Sequence, residues 1–345
     1  MKILYAVQAT GNGHIARAAE LLPYLQRYGK VDVFLSGANS QLQTGLPCRY
    51  RSRGLSLFYN TSGGLQYGKI AAQFQPGRLM KEIRELPVEK YDLVLNDFEC
   101  ITSLACAYKK LPSLHFGHQA SFASPKVPRP IKKDLMGEFL LKNYARATEK
   151  LGLHFRPYDD FIFEPVVKKD ILQARPIDKG HITVYLSAYS DELLHAVFSQ
   201  LPQVRFEVFS KSVTAEKQVD NIRFLPVQQR LFNESMIRSA GVITGAGFET
   251  PAEILHLGKA LMVVPIQGQY EQYCNAAALE EFGVTVVPQL EAASFGAVFE
   301  EWMSGPLPEE TNYRNRIPEM LQYVMDIYPQ QKVSLELLYP ELLLA

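Results

Sequence analysis

The sequence predicts an α/β protein of two doubly wound domains facing each other across a cleft, and three observations carry that reading. A chain of 345 residues is long enough for about two domains of ordinary size. It opens with a strand, a glycine-rich turn, a helix and a second strand, and the same order begins again near residue 181. Between the two lies Arg156 to Gly180, with three prolines, mixed charge and one short apolar run, the character of a crossover. The domains are therefore expected at residues 1–160 and 181–345, joined by a linker at 161–180.

Ile3 to Val7 is an unbroken apolar run, expected as a parallel strand buried on both faces. After the turn, Ile15, Ala18, Leu21, Leu22 and Leu25 recur at helical spacing, Gly29 stops the helix, and Val31 to Leu35 forms the next strand. Gly11-Asn12-Gly13 is only part of a GxGxxG, and no acid follows the second strand to hold a ribose, which argues against a dinucleotide site. His14, at the helix start, reads either as a solvated polar residue or as a base facing the cleft. Arg49, Arg51 and Arg53 alternate ahead of Leu55 to Tyr59, as in an edge strand, and Gly63 to Gly68 is expected as a loop meeting a second substrate. Tyr91 to Glu99 is a strand ending in acids. Asp97 lies where parallel sheets do chemistry, or else caps the helix Cys100 to Tyr108. His118 ends the strand from Leu114 and either reaches the same cleft or sits satisfied in the core.

From Lys126 to Lys150 there are seven Lys/Arg against three acids, interleaved with Leu135, Met136, Phe139, Leu140 and Leu141. That pattern suits a solvated helix face or one that rests on anionic lipid. The second domain opens with strand Ile182 to Leu186, turn Ser187 to Ser190 and helix Asp191 to Gln200. Its informative stretch runs from Gly241 to Asn275. There a short strand ends in Gly245-Ala246-Gly247, whose missing side chains let another group approach the backbone. Thr250-Pro251-Ala252-Glu253 then reads as a helix start with threonine at the N-cap. Its unpaired N–H groups form a seat for an anion. Glu253 either closes a capping box or accepts hydrogen bonds from ribose hydroxyls. Strand Ala260 to Val264 follows, then a loop ending in Glu271-Gln272-Tyr273-Cys274-Asn275, an acid and an amide placed to suit sugar hydroxyls. Helix Ala276 to Phe282, strand Val284 to Val287 and two or three closing helices through Leu344 complete the chain.

The stretch from Gly245 to Asn275 resembles the donor-binding segment of the GT-B nucleotide-sugar glycosyltransferases, the UDP-glycosyltransferase superfamily. The resemblance implies GT-B architecture, two Rossmann-like domains across a cleft, with the last helix packing back on the first domain. It implies that Thr250 touches phosphate, Glu253 binds ribose, and Glu271 and Gln272 hold the sugar after Pro265. Where plant-type members carry a histidine before the glycine turn, this chain has Gly245. At the amino end Asn12-Gly13-His14-Ile15-Ala16-Arg17 is similar to the family's GHxxP pattern, with Arg17 in place of the proline. That likeness implies His14 as catalytic base, with Asp97 orienting it. Ser190 stands at a donor-phosphate position, and Phe224 where an aromatic stacks on the nucleobase, or else it is a plain core phenylalanine. Gly13 and Gly247 complete the implied donor site.

Lys+Arg and Asp+Glu both number 36, so no overall field marks a nucleic-acid partner. Cys48, Cys100, Cys106 and Cys274 have no metal-site spacing, no DxD occurs, and no metal or cofactor is expected. The opening apolar run is too short for a signal peptide or membrane span, so a cytoplasmic protein is expected, and residues 126–150 form a solvated face or, as the alternative, a peripheral contact at the inner face of a membrane. The expected activity is inverting, metal-independent transfer of a sugar, from a UDP-sugar above all, to a hydroxyl acceptor, in one version lipid-linked. A non-hydrolysing nucleotide-sugar epimerase and a non-catalytic nucleotide-sugar binder are the alternatives.

Overall fold

The computed structural model describes residues 1–9, 12–37, 46–54 and 75–328. Gly11, the Leu55 to Tyr59 half of the expected edge strand, the Gly63 to Gly68 loop and the tail beyond 328 lie outside the described residues.

Two sheets form the frame. The first contains β1 (Lys2–Gln8), β2 (Lys30–Ser36), β3 (Cys48–Ser52), β4 (Leu93–Asp97), β5 (Leu114–Gly117), β6 (Glu149–Leu153) and β7 (Ile162–Phe163). Their order is β3-β2-β1-β4-β5-β6-β7, with every neighbouring pair parallel. The second contains β8 (His181–Tyr185), β9 (Arg205–Ser210), β10 (Lys217–Val219), β11 (Ile222–Pro226), β12 (Gly241–Thr244), β13 (Ala260–Val263) and β14 (Thr285–Val286). Its order is β10-β11-β9-β8-β12-β13-β14, and the β10–β11 hairpin is the antiparallel pair. Residues of β1 and β13 are buried on both faces, which is why they read as continuous apolar runs rather than alternating ones. β7 is drawn from the stretch expected as crossover and closes the far edge of the first sheet.

The winding fixes where ligands can sit. β1 pairs with β2 on one side and β4 on the other, so the order reverses beside it, and β8 does the same between β9 and β12. At such a switch point the flanking helices diverge and leave a crevice beyond the carboxyl ends of the strands. Here the two crevices face each other. Helix Ile317–Ile327 follows the second sheet in sequence yet packs with helix Asn12–Leu25 and β6 of the first lobe. Asn315 Nδ2 donates to the Tyr24 hydroxyl at 2.5 Å, and the Phe163 and Tyr323 rings meet edge to face at 5.5 Å. One apolar cluster runs from Val7 and Ile15 through Phe248 and Ile254 to Leu321, so the lobes share a core.

Candidate active site

β1 delivers the chain to helix Asn12–Leu25, whose first turn carries His14 to the mouth of the first crevice. The His14 side chain is 15% exposed, and its Nδ1 lies 2.8 Å from Oδ1 of Asp97, the last residue of β4. Asp97 caps no helix. Glu99 takes that role, its carboxylate accepting from the Ile101 and Thr102 N–H groups at 2.8 and 2.6 Å. One turn beyond His14, Arg17 is 2% exposed and donates to both oxygens of Asp97, through Nε at 3.1 Å and Nη2 at 2.6 and 2.9 Å. Its Nη2 is also 3.0 Å from His14 Nδ1, and its Nη1 donates to Oε1 of Glu249 in the other lobe. Nδ1 can serve one neighbour at a time. Protonated, it donates to Asp97 and leaves Nε2 as the basic nitrogen. Burial by itself lowers the His14 pKa, but the Asp97 carboxylate outweighs it and holds the imidazole above its usual value. Burial likewise works to raise Asp97, yet the Arg17 guanidinium and then His14 hold it well below the ordinary carboxylate range.

In the opposite lobe β12 ends at Thr244, and the Gly245 and Gly247 backbones border the cavity. At Gly247 a Cβ would meet nothing within 4 Å, so a ligand has room against that turn. The helix that follows spans Glu249–His256, with Phe248 at the N-cap and no side-chain cap bond. The expected capping box is therefore not formed, and Thr250 falls inside the first turn. Glu253 is 2% exposed and turned from the cavity, its Oε2 accepting from Lys168 Nζ at 2.9 Å. Lys168 also donates to Asn233 Oδ1 at 3.0 Å, so the linker lysine, not a ribose, occupies this carboxylate. Burial holds the Glu253 carboxyl above its usual range, with Lys168 pulling against it. Glu249 is the acid of this helix that lines the cavity.

The two crevices join in one cavity of about 540 Å³. It brings together Gly13, His14 and His118 of the first lobe with Gly245, Gly247, Thr250, Glu271 and Gln272 of the second. Ser190 and Phe224 are not among the lining residues. Ser190 caps helix Asp191–Phe198, accepting from the Leu193 N–H at 3.3 Å, and Ser187 of the same turn lines the cavity instead. Phe224 is buried in β11 within the second lobe's core, the core alternative rather than a base platform. Glu271 and Gln272 sit in the first turn of helix Tyr270–Glu280, which begins six residues before the expected start at Ala276. Glu271 Oε1 accepts from Gln119 Nε2 across the cleft at 2.9 Å, and Gln272 Oε1 accepts from the Ile266 N–H at 2.9 Å.

Two polar features were not legible beforehand. Lys211, just beyond β9, is the one lysine or arginine lining the cavity among the described residues, and burial lowers its pKa. The buried amide oxygens of Gln8 and Gln119, both cavity residues, have no partner among the described residues. Beyond His14 the wall turns apolar, with Phe98, Met136, Leu140 and Leu141. Met136 and Leu140 belong to helix Leu135–Asn143, whose Leu135 and Phe139 stand 83% and 58% exposed.

A family model described as glycosyl transferase family 1 matches residues 1–300. The chain belongs to that family. The transferase is 23% identical over 324 residues to an uncharacterized glycosyltransferase of Methanosarcina acetivorans, covering 82% of this chain and 84% of that protein. Arabidopsis thaliana UGT89C1, solved with UDP, is similar with a TM-score of 0.56 at 13% identity, over 96% of the transferase and 99% of that chain. The Streptomyces sp. SF2575 glycosyltransferase SsfS6, solved with thymidine diphosphate, gives 0.55 at 18% identity, over 93% and 96%. These likenesses establish the GT-B fold, and the family establishes the transferase as a glycosyltransferase.

Proposed function

We propose that the transferase moves a sugar from a nucleoside-diphosphate donor, a UDP-sugar foremost, to a hydroxyl acceptor with inversion at the anomeric carbon. One observation carries this reading. His14, bonded to Asp97 in one lobe, opens onto the same cavity as the head of helix Glu249–His256 in the other.

His14 Nε2 takes the acceptor's proton as its oxygen attacks the anomeric carbon, and Asp97 stabilises the imidazolium that forms. A single base on one side of the cavity supports one displacement, hence inversion. The departing diphosphate gains negative charge as the sugar leaves. Helix-head N–H groups, the Thr250 hydroxyl, the open glycine turn and Lys211 line the cavity where that charge develops. Because protein groups meet this charge, we read the reaction as metal-independent. Glu271 and Gln272 border the sugar's place. The apolar wall suits an acceptor with a hydrophobic portion, which favours transfer over epimerisation or binding alone. Its continuation into exposed Leu135, Met136 and Phe139, beside exposed Lys132 and Lys133, supports a lipid-linked acceptor presented at a membrane surface. Among the described residues no helix is long and apolar enough to cross a membrane.

A thermal-shift screen against UDP-, dTDP- and GDP-sugars tests the donor. A ligand at about 100 times its Kd adds ~2.7 kcal/mol to the folded state. A melting temperature indifferent to every one of them would sink the reading.

A further inference from the structure

Arg17 is one turn from His14 on the same helix, and all three nitrogens of its buried guanidinium are engaged. Nε and Nη2 fork onto Asp97, Nη2 abuts His14 Nδ1, and Nη1 crosses the cleft to Glu249. Glu249 is the first residue of the helix whose head faces the cavity. One planar group thus touches the proposed base, the acid that orients it and the opposite lobe. We propose that Arg17 is a positioning residue that ties the His14–Asp97 pair to Glu249, so that apposition of the lobes sets the imidazole for proton transfer; this rests on the transferase reading of the cleft.

The argument is one of shared charge. Two carboxylates face one guanidinium, and the excess negative charge is cancelled when His14 carries a proton. With Glu249 in place, Arg17 divides its charge between two acids, and Asp97 remains a strong acceptor for Nδ1–H. With Glu249 withdrawn, the guanidinium falls wholly on Asp97 and its Nη2 competes for Nδ1. That competition favours the tautomer with the proton on Nε2, which cannot act as base. A lysine could not replace the fork, since it offers a point charge rather than a planar set of donors. The groups facing His14 are Asp97 and Arg17 of its own lobe, Tyr5 and His115 behind them, and Glu249 from the other lobe. Among these, Arg17 lowers and Glu249 raises the basicity of His14.

The test is the titration of the His14 imidazole by NMR in donor-free protein, for wild type, Arg17→Met and Glu249→Gln. The midpoint is expected to rise in Arg17→Met and to fall in Glu249→Gln, opposite shifts that a merely structural role would not produce. In turnover, Glu249→Gln is expected to lower kcat by about tenfold with a smaller change in KM. If neither midpoint moves, or both move in one direction, the proposal is overturned. Should Arg17→Met not fold, the partly exposed Glu249 still decides through its own predicted fall. The titration needs neither donor nor acceptor, so a protein that binds no nucleotide sugar would defeat the transferase reading and leave this result standing or falling separately.

Discussion

Phe248 of the second lobe lies flat on His118 of the first, ring centroids 4.0 Å apart and planes within 6°. The His118 nitrogens are committed as well, Nε2 lying 2.7 Å from Asn275 Oδ1 and Nδ1 2.9 Å from the Leu153 carbonyl oxygen. Asn275 in turn donates through Nδ2 to the Ala246 carbonyl at 3.0 Å, which places the joint directly beneath the glycine turn. His118 therefore joins the lobes at the floor of the cavity, and because burial lowers its pKa the neutral ring donates its one N–H to one of these oxygens, a joining role rather than a proton-transfer one.

His118→Ala is accordingly expected to act on stability and on donor affinity together. Losing the stack and the His118 contact to Asn275 Oδ1 costs ~2 kcal/mol. Urea melts read the first effect and calorimetry with nucleotide the second. An activity profile whose pH limbs moved in this variant would mean that His118 shares the proton chemistry after all.

His14→Ala removes the base, with an expected loss of ~10²–10⁴-fold in kcat. Near-full turnover would dismiss the assignment.

The pH dependence has a definite sign. Since His14 is held above its usual 6.5, the neutral basic form predominates only above that raised value, and activity should climb with pH through it. The matching stability term is complete below 6.5 and is lost as pH rises through the folded value. Asp97, held below 3.8, contributes stability above that pH that disappears as pH falls toward its folded value. In Asp97→Asn the carboxylate that outweighs burial is gone, so the His14 limb should drop below 6.5. A pH–rate curve for kcat/KM in both proteins checks this.

Glu253→Ala strands Lys168 beside Asn233 in a buried site. Breaking one side of such a pair costs ~3–5 kcal/mol. Thermal melts should show a large loss, whereas calorimetry should find nucleotide affinity within a few-fold of wild type. Weakened nucleotide binding without destabilisation would restore Glu253 to the donor site.

For the exposed apolar face, Met136→Ser with Leu140→Ser should reduce co-sedimentation with vesicles containing anionic lipid and raise KM for an acceptor with a long alkyl chain. KM for a short soluble acceptor should hold. Equal effects on both acceptors would make these residues cavity walls with no lipid role.

Much of this molecule was open to reading along the chain. Apolar runs of four or five residues, glycine turns and helical spacing are local signals, and they placed His14, Gly245, Gly247 and Thr250 just past strand ends where the sheets bring them to one cavity, with Asp97 at the end of β4 behind His14. Short motifs misled where one pattern served two structures. Thr-Pro-Ala-Glu marks a capping box, but Phe248 took the N-cap, and Phe224 went to the core because β11 turns that face inward. What local pattern could not hold is which charge meets which. Arg17 finds Glu249 232 positions away, and Lys168 finds Glu253 85 positions away. The fates of two acids one helical turn apart were thus settled by groups that only folding delivers. Sequence determined the strands, turns and strand-end residues, since these depend on near neighbours. Tertiary structure alone decided which carboxylate faces the cavity and which is neutralised behind it, since a buried charge must take whatever opposite charge the packing brings within reach.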